Sequence, residues 1–208
     1  MSELDDRIAR NRKRLERHPS GDAGRAVALF SLAASLREKF LETKDIADLE
    51  EAIALHRSTL TLELHPAGHF NRLNSLYILA LCFNDRYDKQ GTIADLEETI
   101  TLGRAALELC SPGHSDRALM FYTLAIYLRN RFLKFGASGD VDEAISLHQS
   151  ALDLRPAGHS DRSASLHSLA LCFGDRYDKQ GTIADLEEAI TLGRAALELC
   201  SPAHSIEP

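Results

Sequence analysis

The sequence predicts an all-α fold, an α-solenoid of about nine antiparallel helices. The 34-residue segment 79–112 recurs as 169–202, and the two copies differ only in Asn84 against Gly174 and Thr99 against Ala189. In addition, no segment of alternating β-branched residues occurs in the 208 residues. A chain that copies itself this closely over tens of residues is built from stacked units of one kind.

Each copy of this duplication contains two shorter repeats. Four arginines mark the register in steps of 47, 45 and 45 residues, and they are Arg25, Arg72, Arg117 and Arg162. The two extra residues of the first step fall in a loop, where insertions cost least. We predict a single repeat domain over 1–208, with an N-terminal cap helix at 2–17, repeats at 18–64, 65–109, 110–154 and 155–199, and a tail at 200–208.

Each repeat is predicted to form two helices. In the second repeat the first helix is expected from about residue 71 to residue 90, because apolar residues recur there at helical spacing, and Gly91 ends it. Thr92 is expected to cap the second helix, with Asp95 three residues later. That helix is expected to bury five side chains, Ile93, Leu96, Ile100, Leu107 and Leu109. Ser115 is expected to cap the next first helix.

The N-terminal segment 2–17 aligns with the second helices and is expected to be a lone helix of that type. Arg10, Lys13 and Arg14 replace residues that are apolar in the later second helices, which gives the first element a polar outer face. The segment 1–17 carries six basic residues, so a contact with nucleic acid or lipid is the alternative to a solvated helix.

The composition restricts the classes of partner and compartment. A net charge of -7 argues against general affinity for nucleic acid or for anionic membranes. The four cysteines form no CxxC pair, and no apolar run approaches the length of a membrane span. We therefore expect a soluble, cytoplasmic protein with reduced thiols, no membrane contact and no nucleic-acid partner.

The repeats resemble the tetratricopeptide repeat (TPR). The segment Asp142 to Pro156 resembles the second helix of that family, with small residues at Ala144 and Ala151. The Leu-Ala pairs followed by an aromatic residue resemble its first helix. The repeats of about 45 residues are longer than those of the family and are similar to arrays in large fungal and bacterial multidomain proteins. The resemblance implies a right-handed superhelix that acts as a noncatalytic protein-binding scaffold.

The resemblance also implies where a partner binds. In the family the first helices line a concave groove, and the ligand-facing positions correspond to two rows in this chain. The predicted partner-binding residues are Phe30, Tyr77, Tyr122 and His167 in one row and Arg37, Asn84 and Arg129 in the other. Rigid aromatic residues beside arginine and asparagine are typical of peptide-contact surfaces. The alternative is that these side chains pack between adjacent first helices.

Other polar residues are predicted to be structural, so we expect no catalytic residue, metal site or cofactor. The histidines His69, His114, His159 and His204 recur one repeat apart, too far from one another to share a metal, and are expected to cap or pack in loops. The acidic clusters that begin the second helices are expected to stay solvated, where they favour the helix dipole. Two rows of repeated arginines are expected to pair with those acids, and they are Arg72, Arg117 and Arg162 in one row and Arg86, Arg131 and Arg176 in the other.

The last helix copies an internal one, and no polar closing helix follows it in the sequence. The sequence therefore favours either a fragment of a longer array or a face that meets another copy, with Leu192 and Leu197 as the predicted self-association residues. A structural or regulatory array that assembles through this face, as a homodimer for example, is the alternative to a peptide-binding scaffold.

Overall fold

The structure is a computed structural model that describes residues 2–22, 24–62 and 69–200. Within these ranges the chain forms nine α-helices and no strand. Their bounds are α1 Glu3–Glu16, α2 Arg25–Thr43, α3 Ile46–Leu62, α4 His69–Gln90, α5 Ile93–Leu109, α6 Arg117–Phe135, α7 Ser138–Asp153, α8 Arg162–Gln180 and α9 Ile183–Cys200. The predicted all-α helical-repeat class is confirmed. The predicted first helix of the second repeat, α4, begins two residues earlier than expected.

The chain divides into two compact units, residues 1–109 and residues 110–208. Unit 1 contains α1 to α5 and unit 2 contains α6 to α9. The division falls at the boundary predicted between the second and third repeats. Each unit therefore holds two successive repeats, and in unit 1 they follow the N-terminal helix.

The core of each unit lies between the first and second helix of every repeat. The Leu-Ala pair of each first helix faces this core, and all eight side chains are 9% exposed or less: Leu32, Ala33, Leu79, Ala80, Leu124, Ala125, Leu169 and Ala170. The alanine of each pair allows the second helix to approach closely, and the leucine fills the remaining space.

The turn between the two helices of a repeat needs a left-handed residue. Gly91, Gly136 and Gly181 have φ near +70°, and each donates its backbone N–H to the carbonyl of the aromatic residue four positions earlier. The prediction for Gly91 is confirmed. In the first repeat Lys44 takes this conformation with φ of 60°, although a side chain there costs more than glycine does.

Three predictions for residues at helix ends are wrong, one for a capping residue and two for buried side chains. Asp116, rather than Ser115, is the N-cap residue of α6, and the Ser115 hydroxyl instead lies 3.3 Å from the Asp116 carboxylate. On α5, Ile93 and Leu109 are 46% and 41% exposed rather than buried. Both lie at the ends of α5, beyond the stripe that packs against α4, whereas Leu96 and Ile100 are buried as expected.

The N-terminal helix α1 packs against α2 as predicted. Leu4 and Ile8 are buried against it, whereas Arg10, Lys13 and Arg14 are exposed. The helix begins with a capping box between Ser2 and Asp5, in which each side chain bonds the backbone N–H of the other residue. Two of its arginines extend to the repeats, where Arg7 pairs with Glu38 and Arg12 pairs with Glu51.

An arginine of the first helix clamps an aspartate of the second helix in three repeats. We call the pairs Arg86–Asp95, Arg131–Asp140 and Arg176–Asp185 the Arg–Asp clamps. In each clamp the Nε and one Nη group donate to the two carboxylate oxygens over 2.6 to 2.9 Å. Pairing with the carboxylates raises the pKa of Arg86 and Arg176. In the first repeat Lys39 lies 3.2 Å from Asp48 at the equivalent position.

The expectation that the acidic clusters stay solvated is wrong for these aspartates. Asp95 and Asp185 belong to these clusters and are only 3% and 5% exposed, and Asp48 of the first cluster is 9% exposed. Asp140, which the prediction did not include, is 7% exposed. The turn between the helices brings the residue nine positions earlier against each carboxylate, so the aspartate is shielded from solvent by its own partner. The predicted pairing of Arg86, Arg131 and Arg176 with acids is confirmed, as partly buried bonds within one repeat. The prediction is wrong for Arg117 and Arg162, which donate to the backbone carbonyls of Cys110 and Arg155 instead.

Candidate partner-binding surfaces

The predicted aromatic row lies on the first helices and is partly accessible. Phe30 and Tyr77 belong to α2 and α4 in unit 1, and Tyr122 and His167 belong to α6 and α8 in unit 2. The first three side chains are half-buried, and His167 is exposed. In unit 2 the Tyr122 hydroxyl lies 3.1 Å from the Ser168 hydroxyl, which joins α6 to α8.

The second predicted row contains two arginines that are fixed by the next first helix. Arg37 of α2 donates its Nε to Asp85 of α4 over 2.7 Å, and Arg129 of α6 donates its Nε to Asp175 of α8 over 2.5 Å. The arginine side chains are 20% and 23% exposed. Each unit thus repeats one arrangement, in which an aspartate of the second repeat orients an arginine of the first.

Asn84 lies beside the arginine pair of unit 1 and is oriented by its own helix. Its amide nitrogen donates to the Asp88 carboxylate over 3.0 Å. Burial and the nearby Asp85 raise the pKa of Asp88. A cleft of about 360 Å³ opens next to this group between the ends of α2 and α4, and it is lined by Phe40, Leu41, Lys44, Asp85, Asp88 and Lys89.

Two buried histidines contact rings of the aromatic row. The sequence analysis did not predict their burial or these contacts. His56 of α3 meets the Phe30 ring edge to face at 5.4 Å, and His148 of α7 meets the Tyr122 ring at 5.3 Å. Both imidazoles are 0% exposed. Glycine occupies the equivalent position in the other two repeats, at Gly103 and Gly193. This alternation of histidine and glycine is the sequence signal that marks them.

Arg155 is a buried cation that the sequence did not predict either. It is 3% exposed, and its Nη1 donates to the Ser165 hydroxyl over 2.6 Å. Its guanidinium lies 5.0 Å from the centre of the Tyr122 ring, on the side of unit 2 where His148 packs. The sequence offers little signal for it, because the equivalent residues of the second and fourth repeats are Cys110 and Cys200.

The loop histidines have the structural role that was predicted. The Nδ1 atoms of His114 and His159 accept hydrogen bonds from the backbone N–H groups of Asp116 and Asp161, each over 3.1 Å. The side chain of His69 and the whole of His204 lie outside the described residues. In the described part of the chain, no group of three or more histidine, cysteine or acidic side chains is placed to hold a metal ion.

The cysteines that the structure describes are free thiols, and three of them, Cys82, Cys110 and Cys172, are buried. Burial raises the pKa of Cys82 and Cys172 to about 12. These two side chains are therefore protonated at neutral pH and supply no thiolate nucleophile.

The last described helix exposes an apolar stripe. α9 packs against α8, and its other side presents Ile183, Ile190, Leu197 and Leu199, which are 45 to 68% exposed. The predicted self-association residue Leu197 is the most exposed of these at 68%, and Leu192 is half-buried. By contrast, Ile145 of α7, which aligns with Ile190, is 6% exposed because α7 packs against both α6 and α8.

None of the described helices is both long enough and apolar enough to cross a membrane.

Comparison with known proteins identifies the fold. No family model matches the chain, and no curated protein matches it. Among solved structures, a kinesin light chain protein of Podosopora anserina with nearly identical TPR-like repeats aligns with a TM-score of 0.62 and 20% identity, over 96% of this chain and 86% of that one. The MamA protein aligns with a TM-score of 0.60 and 15% identity, over 99% of this chain and 89% of that one. This chain therefore has the fold of TPR-like helical-repeat proteins.

Proposed function

We propose that the chain is a noncatalytic interaction scaffold that binds a peptide or protein segment on the first helices of its units. The observation that carries this proposal is the pair of oriented arginines, Arg37 and Arg129, beside half-buried aromatic rings. In each case Nε is taken by an aspartate of the neighbouring helix. A guanidinium has five N–H donors, so further donors remain to bond a partner's carbonyl or carboxylate groups.

The rigidity of this surface supports binding. Salt bridges and the Tyr122–Ser168 hydrogen bond hold the side chains before any partner arrives. A fixed aromatic ring or guanidinium loses little conformational entropy on binding, so more of the contact energy contributes to affinity. The fold that this chain shares with the two similar solved structures supports a scaffold role.

The test is a partner pull-down from cells that express the protein, followed by mass spectrometry. We expect a variant with Tyr77→Ala, Tyr122→Ala and Arg129→Ala to retain about tenfold less of any specific partner than wild type, because aromatic and arginine contacts dominate such interfaces. Gln149→Ala, an exposed substitution on the second helix α7, is the control and should retain wild-type binding.

A gentler variant guards against misfolding, since Arg129→Ala leaves Asp175 without its partner. Tyr77→His with Asn84→Gly rewrites the row of the second repeat as that of the fourth, where the chain already carries His167 and Gly174. This variant should fold normally and still bind more weakly at unit 1. Equal recovery of partners by wild type and both variants, with circular dichroism showing all of them folded, would reject the first-helix surface.

We infer self-association through α9 as the second candidate function, supported by its exposed apolar stripe. Ile183, Leu186, Ile190, Gly193 and Leu197 follow the spacing of three and four residues that two packed helices share. Glu187 and Arg194 lie two turns apart on one edge of this stripe and are both exposed. An antiparallel pairing of two α9 helices would place each Glu187 against the partner copy's Arg194.

Multi-angle light scattering across a range of concentrations tests this second function. We expect wild type to form dimers as its concentration rises, and Leu197→Glu to shift the equilibrium towards monomer by about tenfold or more, since it buries a charge in the stripe. Leu133→Glu is the control, because Leu133 is 55% exposed but lies on α6. A wild-type protein that stays monomeric at the highest concentration would contradict self-association.

We also propose that the protein resides in the cytoplasm. The free thiols of Cys82, Cys110 and Cys172 support this proposal, because disulfides are rare where glutathione keeps thiols reduced. Localisation of a fluorescently tagged protein in its native cells tests it directly.

A further inference from the structure

The central second helix of each unit carries one histidine that is completely enclosed. His56 lies on α3, which packs against α2 and α4, and His148 lies on α7, which packs against α6 and α8. Both side chains are 0% exposed. The two units therefore place an ionisable group at the same internal position, with first helices on both sides.

Buried histidines are usually held by hydrogen bonds to their ring nitrogens, and these two rings are not. Among the described residues, neither Nδ1 nor Nε2 of His56 or His148 has a hydrogen-bond partner. The rings contact aromatic edges instead, at Phe30 and Tyr122. A buried imidazole without a hydrogen-bond acceptor has nothing to stabilise a second proton, so only its neutral form fits this site.

The charged groups around each histidine strengthen this restriction. In unit 1 the charged group that acts on the ring is Arg37 on α2, which is held by Asp85 of α4. The buried thiol of Cys82 on α4 interacts with the same arginine. Burial and Arg37 lower the pKa of His56 from 6.5 to about 4.

In unit 2 two cations face the ring. They are Arg129 on α6, held by Asp175 of α8, and Arg155, which follows α7, while Cys172 on α8 is again a protonated thiol. Burial and these two arginines lower the pKa of His148 from 6.5 to about 4.

We propose that His56 and His148 form a pair of acid-sensitive locks, one in each unit, which hold the central second helix while neutral and release it when protonated. A protonated ring inside the site would meet an arginine and no carboxylate with which to pair directly. It reaches a favourable environment only when α3 or α7 separates from the first helices and admits water. The helices α5 and α9 carry glycine at this position and have no such lock.

The direction of the pH effect follows from which state binds more protons. The unfolded chain binds a proton at each histidine near pH 6.5, whereas the folded units bind it only near pH 4. The contribution of the neutral histidines to the free energy of unfolding is therefore fully present above about pH 6.5 and is lost as the pH falls towards 4. At about pH 5, each lock alone should raise the unfolding equilibrium constant on the order of 30-fold relative to neutral pH.

Native-state hydrogen exchange with mass spectrometry, at about pH 7.5 and about pH 5 with intrinsic exchange rates corrected, measures the effect in each helix. We expect acid to remove protection from α2 to α4 and from α6 to α8 in wild type. In a variant with His56→Asn and His148→Asn, most of this loss should disappear. His167→Asn removes an exposed imidazole instead and is the matched control, with acid sensitivity equal to that of wild type.

A second measurement keeps the proposal testable if the double variant does not fold. Imidazole proton resonances of wild type, assigned with single variants, report the protonation of each ring directly by NMR. We expect two rings that stay neutral at about pH 5.5 for as long as the protein is folded. The proposal is overturned if both rings take up protons near pH 6.5 in the folded protein, or if a folded double asparagine variant loses protection in acid as wild type does.

Discussion

Phe83→Ala is expected to lower the free energy of unfolding by about 4 kcal/mol, a large share of the stability of a small domain. Phe83 lies on α4 and is 1% exposed. Its ring is covered by two guanidinium groups, those of Arg57 and Arg86, each 5.1 Å from the ring centre. Removing the ring leaves a cavity and takes away the surface on which both cations rest.

The duplicated repeat supplies a matched comparison for this prediction. Phe173 occupies the same position in α8, but it is 8% exposed and one guanidinium, that of Arg176, covers it at 5.3 Å. Phe173→Ala should therefore cost less than Phe83→Ala, by about 1 kcal/mol. Urea unfolding followed by circular dichroism measures both. A loss of less than about 1.5 kcal/mol for Phe83→Ala would show that the site collapses around the cavity.

Arg131→Ala is expected to lower the free energy of unfolding by about 3 kcal/mol, because it leaves the Asp140 carboxylate without a partner. Asp140 is 7% exposed and receives two N–H bonds from Arg131, at 2.7 and 2.8 Å. Most of the expected loss is the cost of a buried charge that has lost its counter-ion. The clamp itself contributes less.

A double substitution separates these two contributions. Arg131→Met with Asp140→Leu removes both charges and keeps the volume, so it should recover most of the stability lost in Arg131→Ala. Arg14→Ala, at an exposed position of α1, is the control and should change the free energy of unfolding by less than about 0.5 kcal/mol. The explanation is wrong if the double variant is as unstable as the single one.

The helices could be predicted from the sequence because their signals are local. Helical spacing placed the first helix of the second repeat to within two residues, and Gly91 marked its end because only a left-handed residue can make that turn. Register alone identified α1, since Leu4 and Ile8 align with the buried positions of the later second helices.

The buried polar contacts could be predicted only in part, since they depend on how two helices face each other. Arg131 and Asp140 are nine residues apart in the sequence, and this spacing recurs in three repeats. The pairing of arginine with aspartate could therefore be predicted from the sequence. The burial of Asp95 and Asp185 in the equivalent pairs was not predicted, because the dipole argument concerns one helix and ignores the neighbour that covers the carboxylate.

The candidate binding surface shows the same limit. The resemblance to the tetratricopeptide repeat selected Arg37 and Arg129, and both lie on first helices as expected. No sequence signal indicated that Asp85 and Asp175 of the following helix would orient them. The burial of His56 and His148 was not predicted, because α3 and α7 each pack against first helices on two sides. A periodic pattern in the sequence indicates only one buried face of a helix.

The near-identity of α4–α5 and α8–α9 also affects how the chain finds its native pairing. During folding, α9 offers α4 almost the same side chains as α5 does, so the energies of correct and exchanged pairing are closely matched. Copying a repeat preserves its contacts and removes the information that distinguishes the copies. The correct pairing of helices must therefore be specified by contacts that occur in only one of the repeats. Arg155 provides one, since its bond to Ser165 ties the end of α7 to α8 through a residue that the other repeats lack.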